Sequence, residues 1–346
     1  MNTLAAFFKA IRFPNLLIIA LTQYLLRWCL LSGFAMDFHG LQHLGMSELD
    51  FFLLVLSTVM IAAAGYIIND YFDLKIDRVN KPDKIIVGRA IKRRVAMAAH
   101  VVINIVGLLL AAYVAWKVNR FGLVTLHMLA LLGLWQYSTN LKGTFFWGNF
   151  VIALLAALVP LIVGLYEVSL LNAIVNQQLI EEGKDPSLFD FNFLSYWIIG
   201  FAAFAFILTL ARELTKDMAD IEGDKQYGCE TIPIRLGITN SKLILTGYYL
   251  LMVIGLIYVQ QNFLSDKLTF AYMVIGLGLL LGITLYYTWT AKERKDFVKA
   301  STWNKWLSLG GVLYMPVAYY IIVQQAYEVS DFGSTIRYIL GWTEGL

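Results

Sequence analysis

FFLLVLSTVMIAAAGYIIN, residues 51–69, runs without a break into DYFDLKID, residues 70–77. The first stretch carries no charge and is long enough to cross the hydrocarbon core of a bilayer as a helix. The second sets Asp70, Asp73 and Asp77 beside Asn69 where such a helix leaves lipid. Carboxylates at that depth are costly unless a cation meets them, so the junction reads as a membrane helix that delivers acids to a site.

The rest of the chain agrees with a membrane reading. Of 346 residues, 59% are apolar and 15% charged, with a mean hydropathy of +0.66, values outside those of soluble domains. Apolar segments of spanning length fall at roughly 14–36, 51–69, 93–116, 120–138, 147–168, 194–213, 243–260, 268–290 and 305–324. The expected fold is therefore an all-α integral membrane protein, nine transmembrane helices forming one domain over residues 1–346. Residues 169–193 are expected to be a long external loop with room for a short helix, and 326–346 a C-terminal tail lying along the outer interface. The first span lacks a small-residue cleavage site and is expected to be retained.

Alternate connections, starting with the N-terminus, hold 21 of the 27 Lys and Arg residues. Basic residues are enriched in loops that stay in the cytoplasm, so the N-terminus is expected inside a cell (inner) membrane and the C-terminus outside. Arg27 stands apart, within the first span. Cys29 and Cys229 offer neither a disulfide framework nor a metal pattern. His39 and His43, near Glu48, have the spacing of a metal pair but no further ligands.

The acidic junction has an echo. RELTKDMADIEGDK, residues 212–225, repeats the spacing of Asp70, Asp73 and Asp77 in Asp217, Asp220 and Asp224. Positions i, i+3 and i+7 share a helix face, so each triad forms an acidic stripe. Asn69 extends the first stripe and Glu213 the second. Both fall on the side assigned to the cytoplasm, where two facing acidic stripes would repel unless a cation bridges them. Oxygen ligands of this kind suit Mg²⁺, which keeps waters and commonly binds one or two carboxylates together with substrate phosphates. Arg78, Lys81, Lys84, Arg89, Lys216, Lys225 and Arg235 interleave with the acids and could grip phosphate oxygens. A third element, YSTNLKGTFFWGN at 137–149, holds a single base, Lys142, five residues after Tyr137. Pro14 and Asn15, in RFPNLL at 12–17, open the first span.

These residues resemble the UbiA superfamily of intramembrane prenyltransferases. NDYFDLKIDRVNKPDK and RELTKDMADIEGDKQYGCETIPIRLG resemble its two aspartate-rich motifs, YSTNLKGTFFWGN its Tyr/Lys loop, and RFPNLL the start of its first helix. The resemblance implies nine helices around a central cavity. It also implies Mg²⁺-dependent transfer of a prenyl group from an isoprenyl diphosphate, with Asn69, Asp70, Asp73, Asp77, Asp217, Asp220 and Asp224 as metal residues. It further implies that Tyr137 and Lys142 lie at the reacting end and Asn69 at the diphosphate, while Arg12, Asn15, Arg78 and Lys216 are candidate substrate residues by their place and charge.

Within the superfamily the second motif is most similar to the branch that geranylgeranylates the hydroxyl of geranylgeranylglyceryl phosphate. A quinone or pigment precursor as acceptor keeps the same fold and stays open. Spanning helices rich in aromatic residues would shield an allylic cation, and Phe201, Phe204 and Phe206 are candidate wall residues. Besides the two substrates and membrane lipids no partner is implied, neither nucleic acid nor protein. A secondary transporter also shows internal repeats, but its acids are expected nearer the bilayer midplane.

Overall fold

A computed structural model describes residues 3–38 and 41–331 of the chain. Among them are nine helices long and apolar enough to cross a membrane. They are α1 (Phe13–Met36), α2 (Glu48–Phe72), α3 (Arg93–Lys117), α4 (Phe121–Leu141), α5 (Trp147–Glu181), α6 (Leu194–Gln226), α7 (Ile232–Asn262), α8 (Lys267–Thr290) and α9 (Arg294–Ala326). His39 and the tail beyond residue 331 lie outside the described residues. His43 turns its Nδ1 to the Leu44 carbonyl at 3.1 Å, and Glu48 is taken by Arg27.

Four helices run further than their apolar cores, α7 among them, which starts at Ile232 and crosses a kink at Gly237. The segment 169–193, expected as an external loop, is helix as far as Glu181, and only 182–193 is loop. The continuation buries Leu171, Val175 and Leu179, a four-residue spacing that keeps one face on the bundle. At 1.5 Å per residue α5 is about 52 Å long and outruns a bilayer of about 40–45 Å. In the same way α6 continues to Gln226 and carries the second acidic triad on unbroken helix, while α9 begins at Arg294. Hydropathy marks the part of a helix in lipid and stops where charge begins, although the backbone hydrogen bonding does not.

Six helices, α1, α2, α4, α5, α6 and α9, each pack on the next and close a ring around a cavity of about 300 Å³. The other three lie outside it: α3 on α2 and α4, α7 on α6, and α8 on α9. Half or more of the apolar stretch of α2 and α5 is buried, against 17% in α7 and α8 outside the ring and in α4 within it. The first and second acidic motifs thus sit on opposite members of one ring.

At the end away from the aspartates, Arg27 is 1% exposed on a π-helical turn of α1. Its guanidinium pairs with Glu167 of α5 at 2.9 Å and Glu48 of α2 at 3.1 Å. It also donates to the Met46 carbonyl and lies over the Phe51 ring at 4.4 Å. Glu167 is fully buried and accepts from the Met46 amide at 3.2 Å. One buried charge pair therefore fixes three helices and the 45–47 turn. Removing one member leaves the other charged, at a cost of about 3–5 kcal/mol. Arg27→Met and Glu167→Gln are each expected to lower the thermal unfolding midpoint in detergent clearly, whereas Lys184→Met, at an exposed ion pair, leaves it unchanged.

Candidate functional site

At the first motif α2 loosens into a turn at Asp73, whose ψ opens to −8° while its backbone stays right-handed and keeps its hydrogen bond to the Asn69 carbonyl at 2.9 Å. A short helix, Leu74–Asn80, follows and carries Asp77. It is held against α6 by Asn80, whose side-chain amide donates to the Asp220 carbonyl at 3.0 Å and accepts from the Gly223 amide at 2.9 Å. Gly223 permits that approach, since a Cβ there would meet Asn80 Nδ2 at 2.5 Å.

The clamp brings the motifs within reach of shared cations. Lys81 Nζ lies 3.2 Å from Asp77 and 3.2 Å from Asp220, one amine between both motifs. Lys142 pairs with Asp73, which also accepts from Asn69 at 2.7 Å. Arg294, from the start of α9, reaches Asp220 at 3.1 Å. Asp217 accepts from Asn149 of α5 at 2.7 Å. Asp70 turns aside to Arg12 at 3.2 Å and forms no part of the shared face. Arg78, Lys84, Arg89, Lys225 and Arg235 are exposed and touch none of these aspartates; Arg235 pairs with Glu230 instead.

Tyr137 and Lys142 both point into the site because the end of α4 widens into a π turn over Tyr137–Leu141. The Lys142 amide bonds to the Tyr137 carbonyl at 3.0 Å. On an α-helix residues five apart lie about 140° apart around the axis; a five-residue closure brings them to nearly one face. Burial alone would lower the pKa of Lys142, but the nearby Asp73, Asp77 and Asp224 carboxylates outweigh it and raise it.

Among the described residues no three Asp, Glu, His or Cys side chains converge as ligands to one metal ion. The acids are instead spread over two facing elements with lysines between them. That arrangement fits Mg²⁺, which rarely takes an all-protein cage and completes its shell with water and substrate phosphates. The donors are hard oxygens, the buried Asn69 Oδ1 has no hydrogen-bond partner, and Asp217 and Asp224 have no ion pair among the described residues.

Behind this shelf the cavity passes from polar to apolar. Arg12, Asn15, Arg212, Glu213, Lys216 and Lys305 line its neck, while Ile61, Val159, Pro160, Phe201 and Phe204 line its interior. Phe206, expected as a wall residue, packs on Phe150 at 5.6 Å instead. Asn80, Arg294, Arg212 and Lys305 carry no role in the reading from sequence, where the three bases count only as flanking charge. The spacing of Arg212 and Lys216, one turn apart on one face of α6 with Glu213 three residues before Lys216, was the available signal.

The UbiA prenyltransferase family profile matches residues 26–309. The digeranylgeranylglyceryl phosphate synthase of Methanoregula boonei is 33% identical over 192 residues, 56% of this chain and 59% of that protein. Its counterpart in Sulfolobus acidocaldarius is 32% identical over 194 residues, 56% of this chain and 60% of that protein. The match thus spans less than two thirds of the length of these relatives. Among solved structures, one concerned with digeranylgeranylglyceryl phosphate synthase in membranes overlays with a TM-score of 0.58 at 21% identity, covering 92% of this chain and 99% of that one. A UbiA homologue from Archaeoglobus fulgidus bound to GPP and Mg²⁺ gives 0.50 at 17% identity, with the same coverage.

The clamp and the π turn each generate an expectation. Asn80→Ala or Gly223→Ala leaves buried polar groups unpaired, a cost of about 1–3 kcal/mol, and hydrogen exchange should speed up across residues 74–80 before the rest of the fold loosens. For Lys142 the raised pKa means that its attraction to Asp73 is fully present below the unfolded lysine value of about 10.4 and is lost only as pH rises through the folded value. The ¹³C-methyl signal of reductively methylated Lys142 should therefore show no titration up to about pH 10.

Proposed function

The chain belongs to the UbiA prenyltransferase family and is a multi-pass membrane protein, and from that premise we propose that it transfers a prenyl group from an isoprenyl diphosphate to a lipid acceptor. The acceptor group in this reading is the hydroxyl of geranylgeranylglyceryl phosphate, the prenyl group is geranylgeranyl, and the aspartates face the cytoplasm. The observation that carries it is the pair of acidic motifs clamped face to face at the mouth of a cavity with an apolar interior.

In this account Asn69, Asp73 and Asp77 of the first motif, with Asp217, Asp220 and Asp224 of the second, hold Mg²⁺ and through it the diphosphate. When bound there, the ion would supply Lewis-acid neutralisation of the charge on the leaving oxygen. Lys142, Lys81 and Arg294 add fixed positive charge at the same place, so that the bond from the allylic carbon to the diphosphate oxygen breaks with its electrons going to the diphosphate. Tyr137, Phe201 and Phe204 present ring faces to the resulting allylic cation, and the apolar wall excludes water that would capture it. The acceptor oxygen bonds to that carbon and becomes an oxonium, acidic enough for even the ion-paired Glu213 carboxylate of the wall to take its proton.

Purified protein given geranylgeranyl diphosphate and the phosphorylated acceptor is expected to release diphosphate only when Mg²⁺ is present. Asp73→Ala or Asp220→Ala should reduce the rate by about 10²-fold or more. Unchanged product formation in both variants would contradict the reading.

A further inference from the structure

The charges at the mouth of the cavity sort into two kinds. The shelf formed by the two motifs is rich in acids, and the neck behind it is rich in bases. Arg12, Arg212, Lys216 and Lys305 line the neck, against Glu213 as the carboxylate of the wall. Two of these cations are compensated: Arg12 by Asp70 at 3.2 Å and Lys216 by Glu213 at 2.6 Å. The Lys305 ammonium donates a hydrogen bond to the neutral Asn15 Oδ1 at 2.7 Å. Arg212 makes no ion pair among the described residues, and its buried Nε has no hydrogen-bond partner.

Glu213, already in contact with Lys216, reaches Arg212 only through its longer-range field, so two cations without a contacting counter-charge remain in the neck, an expensive arrangement that calls for further negative charge. A metal-bound diphosphate is a poor match there, because it needs the acids of the shelf and the neck offers one carboxylate already paired. A phosphate monoester fits without a metal: it carries about −1.5 to −2 at neutral pH and offers three oxygens. The guanidinium fork of Arg212 can take two oxygens side by side, and the lysine acts as a point charge on the third. Arg212 precedes Asp217 by five residues on α6, about 7.5 Å along the axis. That offset leaves room between the two anions for the hydroxyl and carbon that react.

We infer that Arg212 and Lys305, facing each other from α6 and α9 and supported by Asn15 and Lys216, form a metal-free binding site for the phosphate monoester headgroup of the acceptor lipid. The site is separate from the acid-rich shelf that takes the diphosphate, and the inference rests on the prenyl-transfer reading above.

The test is a binding titration of the full chain in detergent with EDTA present. The probes are a single-chain alkylglycerol phosphate, the same alkylglycerol without phosphate, and inorganic phosphate as competitor. The phosphorylated lipid should bind about tenfold or more tightly than the neutral one, as expected for charge-assisted hydrogen bonds, and inorganic phosphate should compete. Arg212→Gln and Lys305→Met should each erase most of that preference and Lys305→Arg should keep it. All three should leave Mg²⁺-dependent binding of geranylgeranyl diphosphate within about twofold, since the two anions occupy separate sites.

Equal affinity of the wild-type chain for the phosphorylated and neutral lipids would overturn the inference. So would variants that weaken diphosphate and monoester alike, or phosphate binding without lipid binding. Intact headgroup preference in a chain that releases no diphosphate would instead overturn the transfer reading and leave this site standing.

Discussion

Lys81, held equally between Asp77 and Asp220, and Lys142, paired with Asp73, are the interactions on which the arrangement of the site depends. Two acidic stripes brought face to face at the end of a helical bundle repel, and without positive charge between them the ring of helices would open at that end. Asn80 supplies the mechanical part of the same closure by satisfying backbone groups of α6 that flank Asp220. Cation and clamp together set the spacing of the two motifs, which in the proposed reaction is the spacing a divalent ion and phosphate oxygens would share with these amines.

The opposite end of the bundle solves a related problem in a different way. Arg27, Glu167 and Glu48 form a closed set of ion pairs, at 2.9 and 3.1 Å, that also reaches the Met46 backbone, so each charge there has an opposite charge beside it. At the mouth the sets are left open: Asn69 Oδ1 and Arg212 Nε are buried without partners. A satisfied buried ion pair orders the fold, whereas an unsatisfied one keeps binding free energy in reserve for what enters. That contrast separates the structural end of the molecule from the chemical end more clearly than hydropathy does.

Much of this was legible in the sequence. Nine apolar runs and the paired triads located the helices and both halves of the shelf, because lipid imposes a length on each span and a cost on each charge. The ends of α5, α6 and α9 were not legible by the same means. The added turns lie at the C-terminal ends of α5 and α6 and at the start of α9, and in α5 Leu171, Val175 and Leu179 carry a helical period that a hydropathy window averages away. Lys142 could be singled out as a lone base in its loop, but its alignment with Tyr137 needs the π turn, which no spacing announces. Arg212 and Lys305 were hidden for another reason. Basic residues at helix ends are expected from topology alone, and only the cavity shows which of them face inward.

The central claim is that the two motifs hold diphosphate through a divalent cation that neither motif binds firmly alone. Electron paramagnetic resonance with Mn²⁺ as the probe ion tests it most directly. Free Mn²⁺ should fall on adding the protein together with geranylgeranyl diphosphate, and fall little with either one by itself, because lysines occupy the carboxylates until phosphate oxygens complete the shell. Equally tight Mn²⁺ binding in the absence of diphosphate, or no additional uptake in its presence, would contradict the account.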